Sequence, residues 1–523
     1  MTNSRALCAV PLFLILAAGC GGDDTGPTGP EAEAARPTSI SVSASAVALA
    51  IGEEAQLSAE VKDQSAVAMA GVSVTWASGK TSVATVSSTG LVTAVARGTG
   101  FITATSGTLT ATVEVTVTVN ALGEYSLQTD FGSLDQNDVR VDGIFAVWWD
   151  EDYDLEADAL LLLEMLAAIG VDAVNEVGMT DPPNPAAGYY VNIYIHIPGA
   201  GNDNYPDWWG NGVGTDSNSL PYMTLPLGAH NDLLNVRHEG FHIFQWGAPG
   251  FPYSGDSQWY VEATAQWFAV TGAPDVPHAF IEAGAITANP QQALWHSFEN
   301  EAPGDPINWN RQVRQYGMHT YLYYLTEVVG VAPNVLVDGF YDAASGLPQE
   351  YHFTHIENLR SHFADWAAHN TADMDYISRD QWELAVAELG NSGDANDVHP
   401  FVASYVNTGT EGVWVGPESA LAPRGWAYNV FQITNAAAAT YTFELDGDET
   451  GSEAAAASFD GRVVVVNDGG NSFHSLSMTN DQDGVLSVEV GVDDGEIYLI
   501  VVSVPQHFSG NQTYSYRVRI SRN

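Results

Sequence analysis

The sequence has almost no lysine. Only Lys62 and Lys80 occur in 523 residues, and 16 basic residues stand against 64 acidic ones, for a formal net charge of −48. Gripping a phosphate backbone takes clusters of Lys and Arg, so nucleic acid is excluded as a partner. Charge attraction to an anionic membrane face fails for the same reason. Cysteine is nearly missing too, with only Cys8 and Cys20. Disulfides, a thiolate metal site and a cysteine nucleophile are therefore not expected in the mature chain. Beyond the N-terminus there is no apolar run long enough for a membrane-spanning helix.

What is present begins with "MTNSRALCAVPLFLILAAGC". One arginine precedes an apolar run from Ala6 to Ala18 and then Gly19-Cys20, the pattern of a signal peptide over residues 1–20. The ending "LAAGC" resembles a bacterial lipobox, which implies that Cys20 is lipidated. The expected location is the bacterial cell envelope, lipid-anchored at the outer membrane or cell surface, or secreted. Contact with the membrane is then expected only through the lipid anchor. Residues 21–37, rich in Gly, Pro and acids, cannot bury a core and read as a disordered linker.

Hydrophobic residues make up 45% of the chain, enough to build several cores in a length of three or four domains. Residues 38–119 alternate apolar and polar positions between glycines, as half-buried strands do. Trp76, Val83-Ala84-Thr85-Val86, Gly90-Leu91-Val92 and Gly98-Thr99 resemble the group 2 bacterial immunoglobulin-like (Ig-like) domains. That resemblance implies a β-sandwich spacer or adhesive module. Residues 121–408 mix strands ("GIFAVWW", "YYVNIYIHIPG") with helices ("LEADALLLLEMLAAIG", expected to stop at Gly170). Residues 411–523 return to β texture and predict a C-terminal β-sandwich.

The chemistry centres on "NVRHEGFHIFQW". Asn231 or Asp232 can cap a helix there, and Gly247 with Pro249 can end it. His238 and His242, four apart, share one helix face, the arrangement of a metal-binding pair. Glu239 points about 100° round the helix and can reach a water on the metal without being a ligand. Zinc in a catalytic site takes a third protein ligand and leaves a fourth position open. The helix "DSQWYVEATAQWFAVTG" supplies Glu262, surrounded by apolar residues, where an unpaired carboxylate would be costly and a cation would compensate it.

H-E-x-x-H followed after nineteen residues by Glu262 resembles the gluzincin (thermolysin-like) zinc metallopeptidases, and "WYVEATAQW" is similar to the W-x-x-E-x-x-A helix of related gluzincins. The resemblance covers residues 231–330. It implies one catalytic Zn2+ on His238, His242 and Glu262, with Glu239 as general base for a zinc-activated water. Tyr316, in "QYGMHTYLYYLTEVVG", is the first choice for a donor to the oxyanion. His319 is the second and Tyr260 the third. Gln266 stands where relatives often carry an acidic residue that supports a ligand histidine.

The expected architecture is multidomain: an Ig-like β-sandwich, an α/β (α+β) gluzincin-like metallopeptidase domain, and a C-terminal β-sandwich. The expected activity is that of a cell-surface zinc peptidase acting on a protein or peptide substrate. The alternative is a non-catalytic adhesin or glycan-binding surface protein on the same scaffold, and hydrolysis of a non-peptide amide or ester at the same zinc also stays open. Loop residues 201–219 offer the oxygen ligands calcium takes, without EF-hand spacing, so Ca2+ is a second candidate ion. The indoles of Trp208 and Trp209 fit a substrate cleft or plain packing. His352, His355, His362 and His369 lack ligand spacing and predict surface or supporting roles. Oligomeric state is not legible in the sequence.

Overall fold

The computed structural model describes residues 34–523, except 82, 96–97, 119–121, 123–135, 197–210, 251–254, 297–312, 343–345, 392–399, 407–411, 435, 448–457, 468–469, 481 and 492–493. The signal peptide, Cys20, Trp208, Trp209 and most of the linker lie outside the described residues. No described helix is long and apolar enough to cross a membrane.

The N-terminal unit is Ig-like, with two main sheets and a two-stranded one that pairs Pro37–Val42 with Ala59–Asp63. Strands Ala46–Ala50, Leu109–Thr118, Gly98–Ser106 and Thr75–Ser78 form one sheet, and Glu54–Gln56, Leu91–Ala94 and Ala84–Val86 the other. Val83, Val92, Ile102, Val113 and Val115 fill the space between them, all at most 1% exposed. Gly90 turns at φ 84°, and a Cβ there would come within 2.6 Å of the Leu57 carbonyl and 3.0 Å of the Trp76 ring. Only glycine fits that conformation and that approach. Lys80 Nζ donates to the Asn175 carbonyl at 2.7 Å and ties this unit to the next.

The middle unit has a mixed five-stranded sheet in the order Gln136–Asp142, Phe145–Asp150, Val191–His196, Pro221–Pro226, Gly212–Thr215. The period of two divides its side chains: Phe145, Val147 and Trp149 join the main core, while Ala146, Trp148 and Tyr194 cluster on the opposite face. Helix α1 (Glu156–Val171) packs on this sheet. It does not stop at Gly170: the chain continues as a π-helix through Asp172–Val177 and ends at Gly178, at φ 94°. A glycine inside a packed helix weakens it by only about 1 kcal/mol, which tertiary burial outweighs.

The helix expected around Tyr316 is broken into Arg314–Gly317 and His319–Tyr323 and closes with a π-helical turn, Tyr324–Val329. By sequence, "YYVNIYIHIP" or "LPYMTLP" offers an edge for an extended peptide to pair backbone to backbone, but both strands are interior: Val191–His196 lies between two neighbours, and Pro221–Pro226 is covered by Gly212–Thr215. The outer strands of the sheet among the described residues are Gln136–Asp142 and Gly212–Thr215, and the second lies on the side of α2 (Leu233–Gly247).

The C-terminal region is β-rich: two five-stranded sheets with a shared core of Phe431, Phe443, Val463, Leu499 and Val518. It starts earlier than the expected residue 411, because Phe401–Val406 is already an outer strand of its first sheet. That sheet is also buried on both faces. Val464, Ile500 and Val502 pack with Phe363 and Trp366 of the helix Leu359–Thr371 in the main core. Arg462, 2% exposed, bridges from the sheet to Asp365 of that helix at 2.5 Å. The middle and C-terminal units therefore share one core across the expected 408/411 boundary.

Candidate functional site

Helix α2 (Leu233–Gly247) carries the H-E-x-x-H pattern. Asp232 caps it, its Oδ1 accepting from Asn235 N at 3.1 Å, which satisfies an orphan donor of the first turn. Gly240, inside the motif, faces α1: a Cβ there would lie 3.1 Å from Ile169 Cδ1. The small residue lets the two helices approach. Helix α3 (Gln258–Gly272) carries Glu262 and lies beside α2. Ser257 stands at its N-cap, yet its hydroxyl bonds Gln349 Oε1 at 3.0 Å rather than the helix.

His238, His242 and Glu262 converge. Their Nε2 atoms are 3.1 Å apart, and Glu262 Oε2 is 3.3 Å from the first and 3.5 Å from the second. All three residues are at most 7% exposed. They are the only cluster of three metal-ligating side chains among the described residues. Donors about 2.0–2.2 Å from a tetrahedral zinc sit roughly 3.3 Å from one another, so the triangle has the right size.

The outer nitrogens decide the tautomers. His242 Nδ1 lies 2.5 Å from Gln245 Oε1, and Gln245 Nε2 donates to the Val261 carbonyl at 3.0 Å, which fixes the amide with its oxygen toward the ring. His238 Nδ1 lies 2.8 Å from Gln266 Oε1. With a metal bound, each ring would keep its proton on Nδ1 and turn the Nε2 lone pair inward. Two lone pairs and a carboxylate oxygen aimed at one point repel each other unless a cation sits between them. Burial works against the charged forms, but the mutual attraction of Glu262 and the histidines prevails, lowering the carboxyl's pKa and raising that of His242.

Glu239 faces a cleft of about 700 Å³ that His238, Gln266, Tyr316 and Glu282 also line. Burial raises its pKa, against the pull of His238 and His242. Asn211, just before the edge strand, donates to Glu239 Oε1 at 3.2 Å and to Asn235 Oδ1 at 2.6 Å. The Tyr316 ring is 5.7 Å from that of His238, on the cleft wall. His319 is elsewhere: fully buried, with Nδ1 donating to the Tyr316 carbonyl at 2.9 Å. Burial outweighs that bond and lowers its pKa to about 4, so the ring is neutral. It supports the Tyr316 backbone and does not line the cleft. Tyr260 is buried too, with its hydroxyl on the Leu336 carbonyl and 2.7 Å from His352 Nε2.

Sequence reasoning missed Gln245, Asn211 and Glu282. Gln245 was within reach, being three residues after His242 on the same helix. Nothing local marks Asn211 or Glu282, which the fold carries to the cleft. In the described half of the calcium-candidate loop, Asp216 Oδ1 accepts from Asn218 N and Leu220 N and shapes a turn; residues 201–210 lie outside the described residues. The later histidines are scattered: His352 is buried, His355 stacks on Tyr351, and His369 pairs with Asp375 at 2.6 Å.

Residues 37–121 match the family of bacterial Ig-like domains (group 2). No curated protein matches the chain. Among solved structures, the chain is similar to domains 4 and 5 of the S-layer protein SbsC, at 33% identity over 17% of this chain and 54% of that one, with a TM-score of 0.16. It is similar to the pre-peptidase C-terminal domain of a collagenase from Bacillus anthracis, at 10% identity over 24% of this chain and 98% of that one, TM-score 0.16. It is also similar to a GH10 xylanase from termite gut that contains a bacterial Ig-like domain, at 12% identity over 67% and 74% of the two chains, TM-score 0.12. The chain spans about half the SbsC fragment it matches and 15% of a longer SbsC chain.

Proposed function

We propose that the chain is a cell-surface zinc peptidase of gluzincin type, held at the envelope through Cys20 and spaced from it by the Ig-like unit. The observation that carries this reading is the inward-facing triangle of His238, His242 and Glu262, with both outer nitrogens bound to glutamine oxygens. These three residues would hold the ion. Zinc bound there supplies an open position and Lewis acidity, which polarises a carbonyl and acidifies water.

The chain's own groups do the rest. Glu239 takes a proton at its carboxylate and passes it to the leaving amine. Asn211 holds the carboxylate in place. Tyr316, beside His238, donates its hydroxyl to the developing oxyanion. An extended substrate lies along the outer strand Gly212–Thr215 and pairs backbone to backbone.

The adhesin reading draws on the Ig-like match at residues 37–121. Zinc content and hydrolysis of a casein-type substrate, measured on wild type and Glu239→Gln, decide between them. The peptidase reading expects zinc in both proteins and a loss of kcat of roughly 10²–10⁴-fold in the variant. A zinc-loaded wild type inert on a broad peptide library overturns it.

A further inference from the structure

Glu282 stands on the cleft wall apart from the metal-ligating cluster. Its Oε2 is shut off from water and has no hydrogen-bond partner among the described residues. Burial pushes its pKa up to about 7, and the neighbouring Glu388 carboxylate adds to the rise; its own backbone N–H and His238 only partly oppose it. The described lining of the cleft includes the carboxylates of Asp232, Glu239 and Glu282 and no Lys or Arg. Arg314, nearby in the fold, donates instead to the carbonyls of Ile286 and Gln292. Val276, Ile281 and Val313 line the same cleft and suit the methylene stem of a long basic side chain. An unpaired carboxylate at the edge of an apolar bed is stabilised by a cation that arrives with the substrate.

We propose that Glu282 is the specificity-determining residue of this cleft and receives an ammonium or guanidinium group, that of a lysine or arginine side chain beside the bond acted on. The inference rests on the cleft being the substrate site. It adds the substrate class: basic peptides rather than neutral or acidic ones.

The test uses the full chain loaded with zinc and N-acetylated peptides that differ only in Lys, norleucine or Glu at each position around the cleaved bond. The ratio of kcat/KM between Lys and norleucine peptides is read in wild type, Glu282→Gln and Glu282→Lys. Binding of the same peptides to Glu239→Gln is read by calorimetry, independently of turnover. A charged hydrogen bond predicts a Lys preference of roughly ten- to hundredfold in wild type. The ratio should fall toward one in Glu282→Gln, and Glu282→Lys should favour the Glu peptide. A Lys preference that survives in Glu282→Gln, or none in wild type, overturns the inference, and turnover of the neutral peptide then leaves the peptidase reading standing. Glu282-dependent binding of the Lys peptide without cleavage of any peptide supports the inference and sinks the peptidase reading.

Discussion

The Nε2 atoms of His238 and His242 stand 3.1 Å apart with Glu262 Oε2 within 3.5 Å of both. Their outer nitrogens are committed to glutamine oxygens, so the inward nitrogens and the carboxylate can share one cation. His238→Ala, His242→Ala or Glu262→Ala should each remove most bound zinc, as one of three protein bonds to an open site is lost. Metal analysis after dialysis reads this directly. Melting gives a second readout: wild type should gain about 4 kcal/mol at a thousandfold excess of zinc over Kd, and the variants should gain little. Full metal content in Glu262→Ala would show that another residue closes the site.

Gln245 and Gln266 hold the two rings by Nδ1. Supporting residues of this kind typically contribute 10–100-fold in metal affinity. Gln245→Ala should lower zinc affinity by about that factor in a chelator competition. Gln266→Glu should raise affinity, because a carboxylate is the stronger acceptor for a histidine N–H. Unchanged affinity in both would mean that the rings are held by packing alone.

Tyr316 lines the cleft and His319 does not. Tyr316→Phe should lower kcat by roughly 10²–10³-fold and leave KM nearly unchanged, since the ring and its packing remain. His319→Ala should act on stability instead. Its ring is fully buried, 5.4 Å from that of Phe280, so truncation leaves a cavity at a cost of about 2–5 kcal/mol. Stable His319→Ala with crippled turnover, beside an active Tyr316→Phe, would reassign the oxyanion donor to the histidine.

His352 is buried beside Tyr260, and burial, with His355 nearby, lowers its pKa to about 3. The unfolded chain takes this proton near pH 6.5, whereas the folded chain does not. Stability contributed by the neutral ring is therefore complete above pH 6.5 and is lost as pH falls from 6.5 toward about 3. By pH 4.5 the loss should reach about 2 kcal/mol. His352→Gln keeps a polar partner for Tyr260 and cannot titrate. Denaturant unfolding at pH 6.5 and 4.5 should show a drop smaller by that amount in the variant. Equal drops would mean that His352 protonates in the folded protein.

Much of the candidate site is local, and local patterns are legible. The four-residue spacing of His238 and His242 needs only the helical period, and Glu262 betrays itself as an acid among apolar neighbours on a second bounded helix. The Ig-like unit shows in the same way, because strand alternation and turn glycines such as Gly90 are short-range features. Elements that misled were those where packing outweighs local preference. Gly170 reads as a stop, yet burial carries the helix through it to Gly178. Strands 191–196 and 221–226 read as usable edges until neighbouring strands cover them.

Composition and short spacings thus determined the N-terminal sandwich and the three inward-facing residues of the candidate metal site. Tertiary structure alone decided which glutamines steady the histidines, that Tyr316 rather than His319 faces the cleft, that Glu282 joins it, and that the C-terminal sheets share a core with the helix Leu359–Thr371. The reason is physical. A helical or strand period sets the direction of a side chain relative to its near neighbours in the chain. The partner it meets across tens or hundreds of residues depends on how whole elements pack, and no local period encodes that.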